Sequence, residues 1–257
     1  MPPRLTSIGL SRSVSNLLKN NTDIQNFGSL MLVRHGLTDW NKKTLWTGRK
    51  NIPISEEGKE QARILAEKLK GNFFPHIAYT TPLIRARTTC DIILKIMDCD
   101  IPIYEDERML EQDVGSLTGT FKTEESKIIV KGPFTRPGPR DPNCENLIGA
   151  PNEHGAESRY DVEIRTNDFY EKLLKPELID GKNIVVCAHS NSIKGLIKNI
   201  TFLTGITIGN TEAIKLLFKS DEKGEFVFSE MIFMSRPGTE IQSLNFQSLI
   251  QDRHLGK

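Results

Sequence analysis

The chain has 257 residues, 37% of them hydrophobic and 26% charged, which suits one large α/β domain or two small ones and excludes disorder throughout. A formal net charge of +1 creates no global attraction to nucleic acid or to an anionic membrane, so any anion site must be assembled locally. No stretch approaches the roughly 20 apolar residues of a membrane-spanning helix.

Residues 1–28 read as a basic extension outside the fold. Arg4, Arg12 and Lys19 stand among serines and threonines, with no acid before Asp23. Two readings stay open: a mitochondrial transit peptide, or a polar tail on a cytoplasmic protein. A first strand is expected over Ser29 to Val33. Ser55 then caps a helix that carries Ala62, Leu65, Ala66 and Leu69 on one face, and Gly71 ends it. A strand near Ile77 to Tyr79 leads into Thr81-Pro82, read as an N-cap followed by proline at the first helical position. That helix would bury Ala86, Cys90, Ile93, Leu94 and Met97. After a short strand at Ile101 to Tyr104, the proline- and glycine-rich segment from Gly132 to Gly155 reads as a surface loop or lid. A helix over Ser158 to Leu174 follows, and then the run Ile184 to Ala188, apolar on both faces as a central parallel strand must be. A helix from Ser192 to Leu203 and a hairpin of strands near 213–218 and 226–233 complete the fold, leaving 241–257 as a polar tail. The expected architecture is a single α/β domain over 29–240, with a mostly parallel central sheet flanked by helices on both faces. Cys90, Cys99, Cys144 and Cys187 lack the paired spacing of a zinc site and read as free thiols of a reducing compartment.

The candidate chemistry begins at Arg34-His35-Gly36, directly after the apolar run Leu30 to Val33. An imidazole is substantially neutral near pH 7, so His35 can attack a phosphoryl group without a separate base. The guanidinium of Arg34 matches phosphoryl oxygens with a planar fork of donors. His189 mirrors His35: it follows the apolar run ending at Ala188 and opens a helix at Ser190-Asn191-Ser192. Both histidines therefore lie at carboxyl ends of buried strands, the edge where open α/β sheets bind ligands. Arg85, near the start of the helix after the second strand, is a further donor at that edge. Arg87 and Arg108 read as partners in surface salt bridges. Glu111 is a candidate proton carrier. His76, His154 and His254 read as structural or solvated.

These residues carry a resemblance. Leu32-Val33-Arg34-His35-Gly36, Trp40-Asn41, Trp46-Thr47-Gly48, Ile54 to Gly58, Tyr79 to Ala86, and Pro176 to Lys182 running into Ala188 to Ser192 together resemble the histidine phosphatase superfamily. Within it they are most similar to the cofactor-dependent phosphoglycerate mutases, over about Ser29 to Phe233. The resemblance implies a phosphoglycerate mutase-like fold and an isomerase of glycolysis that interconverts 3- and 2-phosphoglycerate. It implies a phosphohistidine on His35, with Arg34, Arg85 and His189 around the phosphoryl oxygens and Glu111 relaying the proton. Asn41, Thr47, Gly48, Lys122, Ser190 and Asn191 match phosphate and substrate contacts. It implies 2,3-bisphosphoglycerate as the phosphoryl primer, no metal, a small phosphorylated substrate, and assembly into homodimers or homotetramers.

The chain also departs from the mutase pattern. The family follows the glutamate with Arg-His-Tyr, where this chain has Gln112-Asp113-Val114. The paired arginines that clamp the far end of the substrate are missing, leaving Lys131 as one replacement and Arg136 or Arg140 as candidates to reach in from the proline-rich turn. The alternative is a phosphatase that hydrolyses a small phosphoester or bisphosphate through the same phosphohistidine. A non-catalytic scaffold would be expected to have lost one of His35, Arg85, Glu111 or His189, and all four are present.

Overall fold

The computed structural model describes residues 25–234 and the backbone of 243–245. Of the extension expected over residues 1–28, residues 1–24 lie outside the described residues. The first strand, β1 (Leu30–Arg34), is apolar on both faces because both are covered. Leu30 and Leu32 join one core layer, while Met31 and Val33 join the other, as the two-residue period of a strand requires. The strand β4 (Ile184–Ala188) divides the same way, with Ile184, Val186 and Ala188 on the first face and Val185 and Cys187 on the second. Each buried aliphatic in these two strands contributes roughly 1.5–3 kcal/mol by leaving water.

Helices supply both layers. On one face, α2 (Glu56–Leu69) and α3 (Ile84–Ile96) bury Leu65, Ala66, Cys90 and Ile93. On the other, α5 (Arg159–Phe169) and α7 (Ser190–Thr201) bury Phe169, Ile193, Leu196 and Ile197. The sheet runs β3 (Ile103–Glu105), β2 (Ile77–Thr80), β4, β1, β5 (Ala213–Ser220), β6 (Phe226–Phe233), β7 (Ser243–Asn245). The first four strands are mutually parallel, and the last three follow in antiparallel pairings. Because β6 is antiparallel to β5, it points the same way as β1, so the sheet is mostly parallel, with a hairpin extension.

Both ends of the fold reach further than the sequence pattern indicates. Phe27 donates its N–H to Phe218 O, and its ring meets Phe226 edge-on at 5.0 Å. Residues 25–27 therefore dock on β5, and Gly28 donates its N–H to Leu178 O. At the other end, β7 pairs with β6 inside the segment read as a polar tail.

Two expected helix boundaries are corrected. Thr81-Pro82 does not cap α3, whose N-cap is Leu83. The Thr81 hydroxyl is instead engaged by His189 Nε2 and by the Leu83 N–H. The helix expected to end at Leu174 continues through a π-helical turn, Tyr170–Leu174, into α6 (Lys175–Ile179). Pro176 has no N–H to give the preceding turn, and the wider turn absorbs that loss.

Candidate active site

Parallel pairing of β1 with β4 sets Arg34 opposite Ala188, so the next residue on each strand is a histidine. The two rings lie with centroids 5.2 Å apart. His35 is held by its backbone N–H to Ala188 O and by its ring Nδ1 against Gly36 O at 2.8 Å. A carbonyl can only accept, so Nδ1 carries the proton and Nε2 keeps the lone pair that a nucleophile needs. Gly36 is required at this turn: a Cβ there would come within 2.6 Å of Gly58 O.

Burial is the main cause holding the His35 imidazole well below its ordinary pKa, aided by the neighbouring Arg85 and Arg34 guanidiniums. Burial, then Arg85 and His35, does the same to His189. Both rings are therefore neutral in the resting protein, whereas an unfolded histidine titrates near 6.5. Above that value their contribution to stability is complete. As pH falls through it, the unfolded chain takes up protons that the folded chain refuses, and stability is lost. The expected slope is up to about 1.4 kcal/mol per pH unit for each ring. Urea denaturation at pH 7.5 and 5.5 measures it, and a His35→Gln, His189→Gln double variant should show a flatter dependence. Equal slopes would mean that neither ring is held neutral.

The arginines come from separate elements. Arg34 donates Nη1–H to Ile208 O at 2.6 Å. Arg85 is fully buried and donates to Lys50 O and Gly48 O; burial pushes its pKa down to about 10, which leaves it charged at neutral pH. Gly48 has a φ of +48°, and a Cβ there would meet Val114 at 2.7 Å. Four buried polar atoms around the site have no hydrogen-bond partner: Arg34 Nε, Arg85 Nε, Thr47 Oγ1 and His189 Nδ1. A bound oxyanion has the acceptors to satisfy the nitrogens among them.

Glu111 follows the 3-10 turn Glu107–Met109. Its Oε1 accepts the N–H groups of Gln112 at 2.9 Å and Asn191 at 3.1 Å, so the carboxylate sits at the N-terminus of α7, where negative charge is favoured. No described residue hydrogen-bonds Oε2, which is left to exchange a proton. Asn41 stands at the third residue of α1 (Asp39–Lys42) and accepts the Thr38 N–H and the Asn210 amide. Lys122 lies over the Trp46 ring at 5.1 Å, and Trp46 donates to Ser126 of α4 (Glu124–Lys131).

A cavity of about 770 Å³ joins these groups. Arg34, His35, Asn41, Thr47, Gly48 and Arg85 line it, as do Glu111, Lys122, Lys131, Ser190 and Asn191. His189 lies behind this wall, without solvent exposure. Apart from Arg136 and Arg140, the site residues expected from sequence line the cavity or, for His189, lie against His35.

The proposed reach of Arg136 and Arg140 into the site is corrected. Arg136 forms two 2.8 Å hydrogen bonds to Asp161, and Arg140 is bound to Asp113 and to Gly149 O. Each already has a carboxylate, so neither is available to substrate. The same contacts explain the departure at 112–113. Gln112 donates to Glu157 O and Val130 O, and Glu157 is clamped between Arg49 and Arg165. Burial opposes ionisation of Glu157, but Arg165 and Arg49 outweigh it and hold its carboxyl below the usual range. These residues frame the wall instead of touching ligand. Arg87 and Arg108 do make the expected salt bridges, to Asp91 and Glu105 and to Asp106 and Asp168. His76 accepts the Asn183 N–H, and His154 lies near Glu153.

Sequence reading passed over Arg159 and Lys194. Arg159 opens α5, reaches the cavity and donates to Asn191 Oδ1 at 2.5 Å. Lys194 lies one turn beyond Ser190 on α7, a spacing that marks it as a neighbour on the same face. Burial lowers the pKa of both.

Residues 30–224 match the model of the histidine phosphatase superfamily, branch 1. The chain belongs to this superfamily. Another member, the 2,3-bisphosphoglycerate-dependent phosphoglycerate mutase of Bifidobacterium longum, is 33% identical over 213 residues, covering 75% of this chain and 86% of its own. A phosphoserine phosphatase of Entamoeba histolytica, solved with 3-phosphoglyceric acid, superposes with a TM-score of 0.60 at 24% identity, covering 82% of this chain and 98% of that one. A phosphoglycerate mutase of Bacillus anthracis gives a TM-score of 0.61 at 17% identity, covering 91% and 99%. The histidine phosphatase fold is thus shared with proteins named for both activities, and the fold alone does not choose between them.

Proposed function

We propose that the protein interconverts 3-phosphoglycerate and 2-phosphoglycerate through a phosphohistidine on His35, primed by 2,3-bisphosphoglycerate. The observation that carries this reading is six cations on one cavity with no carboxylate of the described residues within 4.0 Å: Arg34, Arg85, Lys122, Lys131, Arg159 and Lys194. Two other cavity lysines are already paired, Lys127 with Glu124 and Lys198 with Glu163. Six unpaired cations exceed the needs of one phosphate and suit a ligand with a second anionic group. Lys194 is about 6 Å along the α7 axis from Ser190, so the helix that brings Ser190 to the phosphoryl site also carries a cation toward the far end of a three-carbon substrate.

In the charging half-reaction His35 Nε2 attacks a phosphorus of bound 2,3-bisphosphoglycerate and the ester oxygen leaves with the proton of Glu111, giving a monophosphoglycerate. In the other, the free hydroxyl of a monophosphoglycerate gives its proton to Glu111 and attacks the phosphohistidine, which regenerates the bisphosphate. Arg34 and Arg85 offset the charge on the transferring group throughout. A second reading, hydrolysis of a small phosphoester or bisphosphate with water as acceptor, is favoured by Val114. It lines the cavity where the mutase pattern has tyrosine, and it cannot hydrogen-bond a substrate that must turn before it leaves.

The test compares 3-phosphoglycerate isomerisation, with and without 2,3-bisphosphoglycerate, against phosphate release. Isomerisation should depend on the primer and exceed release; release without isomerisation would overturn the mutase reading in favour of the phosphatase. Arg159→Leu should raise KM for phosphoglycerate roughly 10- to 100-fold, the cost of a charge-assisted hydrogen bond. The effect on p-nitrophenyl phosphate, which has a single anionic group, should be much smaller. Equal effects on both substrates would remove Arg159 from the far-end contact.

A further inference from the structure

Asn210 stands behind the cavity wall, in the turn that leads into β5. Its Nδ2 is 3.2 Å from His35 O, 3.2 Å from Asn41 Oδ1 and 3.5 Å from Gly36 O. The turn is held against local preference, since the next residue, the β-branched Thr211, has a φ of +53°. The Thr211 N–H lies 3.1 Å from Arg34 O and 3.3 Å from His35 O, which fastens the turn to the end of β1.

Backbone groups fix the direction of each bond in this cluster. The Thr38 N–H faces one arm of the Asn41 carboxamide at 3.3 Å, and because an N–H only donates, that arm is Oδ1. Asn210 faces oxygens alone, two of them backbone carbonyls, so its facing arm is the NH2 group. Gly36 O already takes the His35 Nδ1–H at 2.8 Å. The two Asn210 protons therefore go to His35 O and Asn41 Oδ1. One amide joins the backbone of His35 to the side chain of Asn41.

Both donors to Asn41 Oδ1 come from residues that do not line the cavity, whereas Asn41 does. The oxygen is thus turned away from the cavity, and the other arm, Nδ2, toward it. Nδ2 has no acceptor among the described residues and is not among the buried atoms left unpaired. We infer that Asn210 is a positioning residue for phosphoryl transfer: it locks the Asn41 carboxamide with its NH2 group toward the cavity, as a donor to phosphoryl oxygens beside His35. Without Asn210 the carboxamide would hang on one long bond from Thr38. A flipped carboxamide would set an oxygen against the oxygens of the anion, so the lock decides between attraction and repulsion. The inference rests on the proposed function only in taking the ligand beside His35 to be a phosphoryl group.

Orthovanadate, an analogue of the transferring phosphoryl group, tests this without turnover. In nitrogen-15-labelled parent protein the Asn41 side-chain NH2 signal is assigned by its absence in Asn41→Ala, and orthovanadate should shift it. An unshifted signal in protein that binds the anion would overturn the donor role. Asn210→Ala should weaken orthovanadate binding roughly 10-fold, within the range for a hydrogen bond to a charged group. In the Asn41→Ala background the same change should weaken binding by no more than about 2-fold, because the group it positions is gone. An Asn210 that only held the turn together would weaken binding alike in both backgrounds. That result, or an Asn210→Ala protein that binds as tightly as the parent, would overturn the positioning role. Asn210→Asp keeps the size of the side chain but offers only acceptors. It should draw the Asn41 NH2 to itself, so that orthovanadate no longer shifts the signal; a shift like the parent's would overturn the lock. A parent that binds orthovanadate but neither isomerises nor hydrolyses phosphoesters would end the proposed function and leave this assignment standing. A parent that binds none would end both.

Discussion

The His35→Ala protein should form no acid-labile phosphoenzyme and should lose the proposed transfer to phosphoglycerate and to water together, by roughly 10⁴-fold or more. The size of the effect follows from geometry. His35 presents its unprotonated Nε2 because Gly36 O holds Nδ1–H. The neighbouring His189 is no substitute, since its Nε2 is engaged by Thr81. The residual activity should be insensitive to 2,3-bisphosphoglycerate, which would have no residue to charge. Quenched labelling with radioactive bisphosphoglycerate checks this, and an acid-labile phosphoenzyme in the alanine variant would remove His35 from its role.

Glu111→Gln should slow transfer by roughly 10²- to 10⁴-fold, the usual range for loss of general acid–base catalysis, while KM changes little. The amide oxygen of glutamine can still accept the Gln112 and Asn191 N–H groups that hold Oε1, so the loop and the N-terminus of α7 keep their places. What is lost is the exchangeable proton at the other oxygen. A substrate whose leaving group needs no proton, such as 2,4-dinitrophenyl phosphate, should phosphorylate this variant with a much smaller penalty than phosphoglycerate does. Equal penalties would show that glutamine disturbed binding instead of proton transfer, and an unchanged turnover would assign the proton to another group.

The elements that carry His35 and His189 were readable because β1 and β4 are apolar on both faces. That pattern belongs to central parallel strands, and the residue after each strand falls at the ligand edge of the sheet. Helix α2 was readable for a similar reason: Ser55 caps it and its apolar positions share one face. The walls of the cavity were less legible. Nothing in one-dimensional spacing joins Arg159 to Asn191, which are 32 residues apart in the chain and bonded through their side chains. Likewise, whether Arg140 belongs to the ligand or to the scaffold depends on Asp113, 27 residues away. Local signals mislead where a side chain has a distant partner. Thr81 before Pro82 looks like a helix cap until His189 claims its hydroxyl, and the helix expected to stop at Leu174 passes Pro176 because a π-helical turn accommodates the missing donor.

The segment 132–155, which meets the cavity at Pro133, is fastened differently from the sheet behind it. Salt bridges and hydrogen bonds tie it down, from Arg140 to Asp113 and from Arg49 to Glu157 and Ala150 O, together with backbone contacts such as Ser116 N–H to Gly138 O. The strands that carry the two histidines are held by apolar burial on both faces. Two kinds of fastening give the molecule two modes of failure. Loss of a single carboxylate such as Asp113 should loosen this segment and leave the apolar packing that spaces the imidazoles in place. The segment beside the cavity can therefore yield while the strands that space the two rings stay in place.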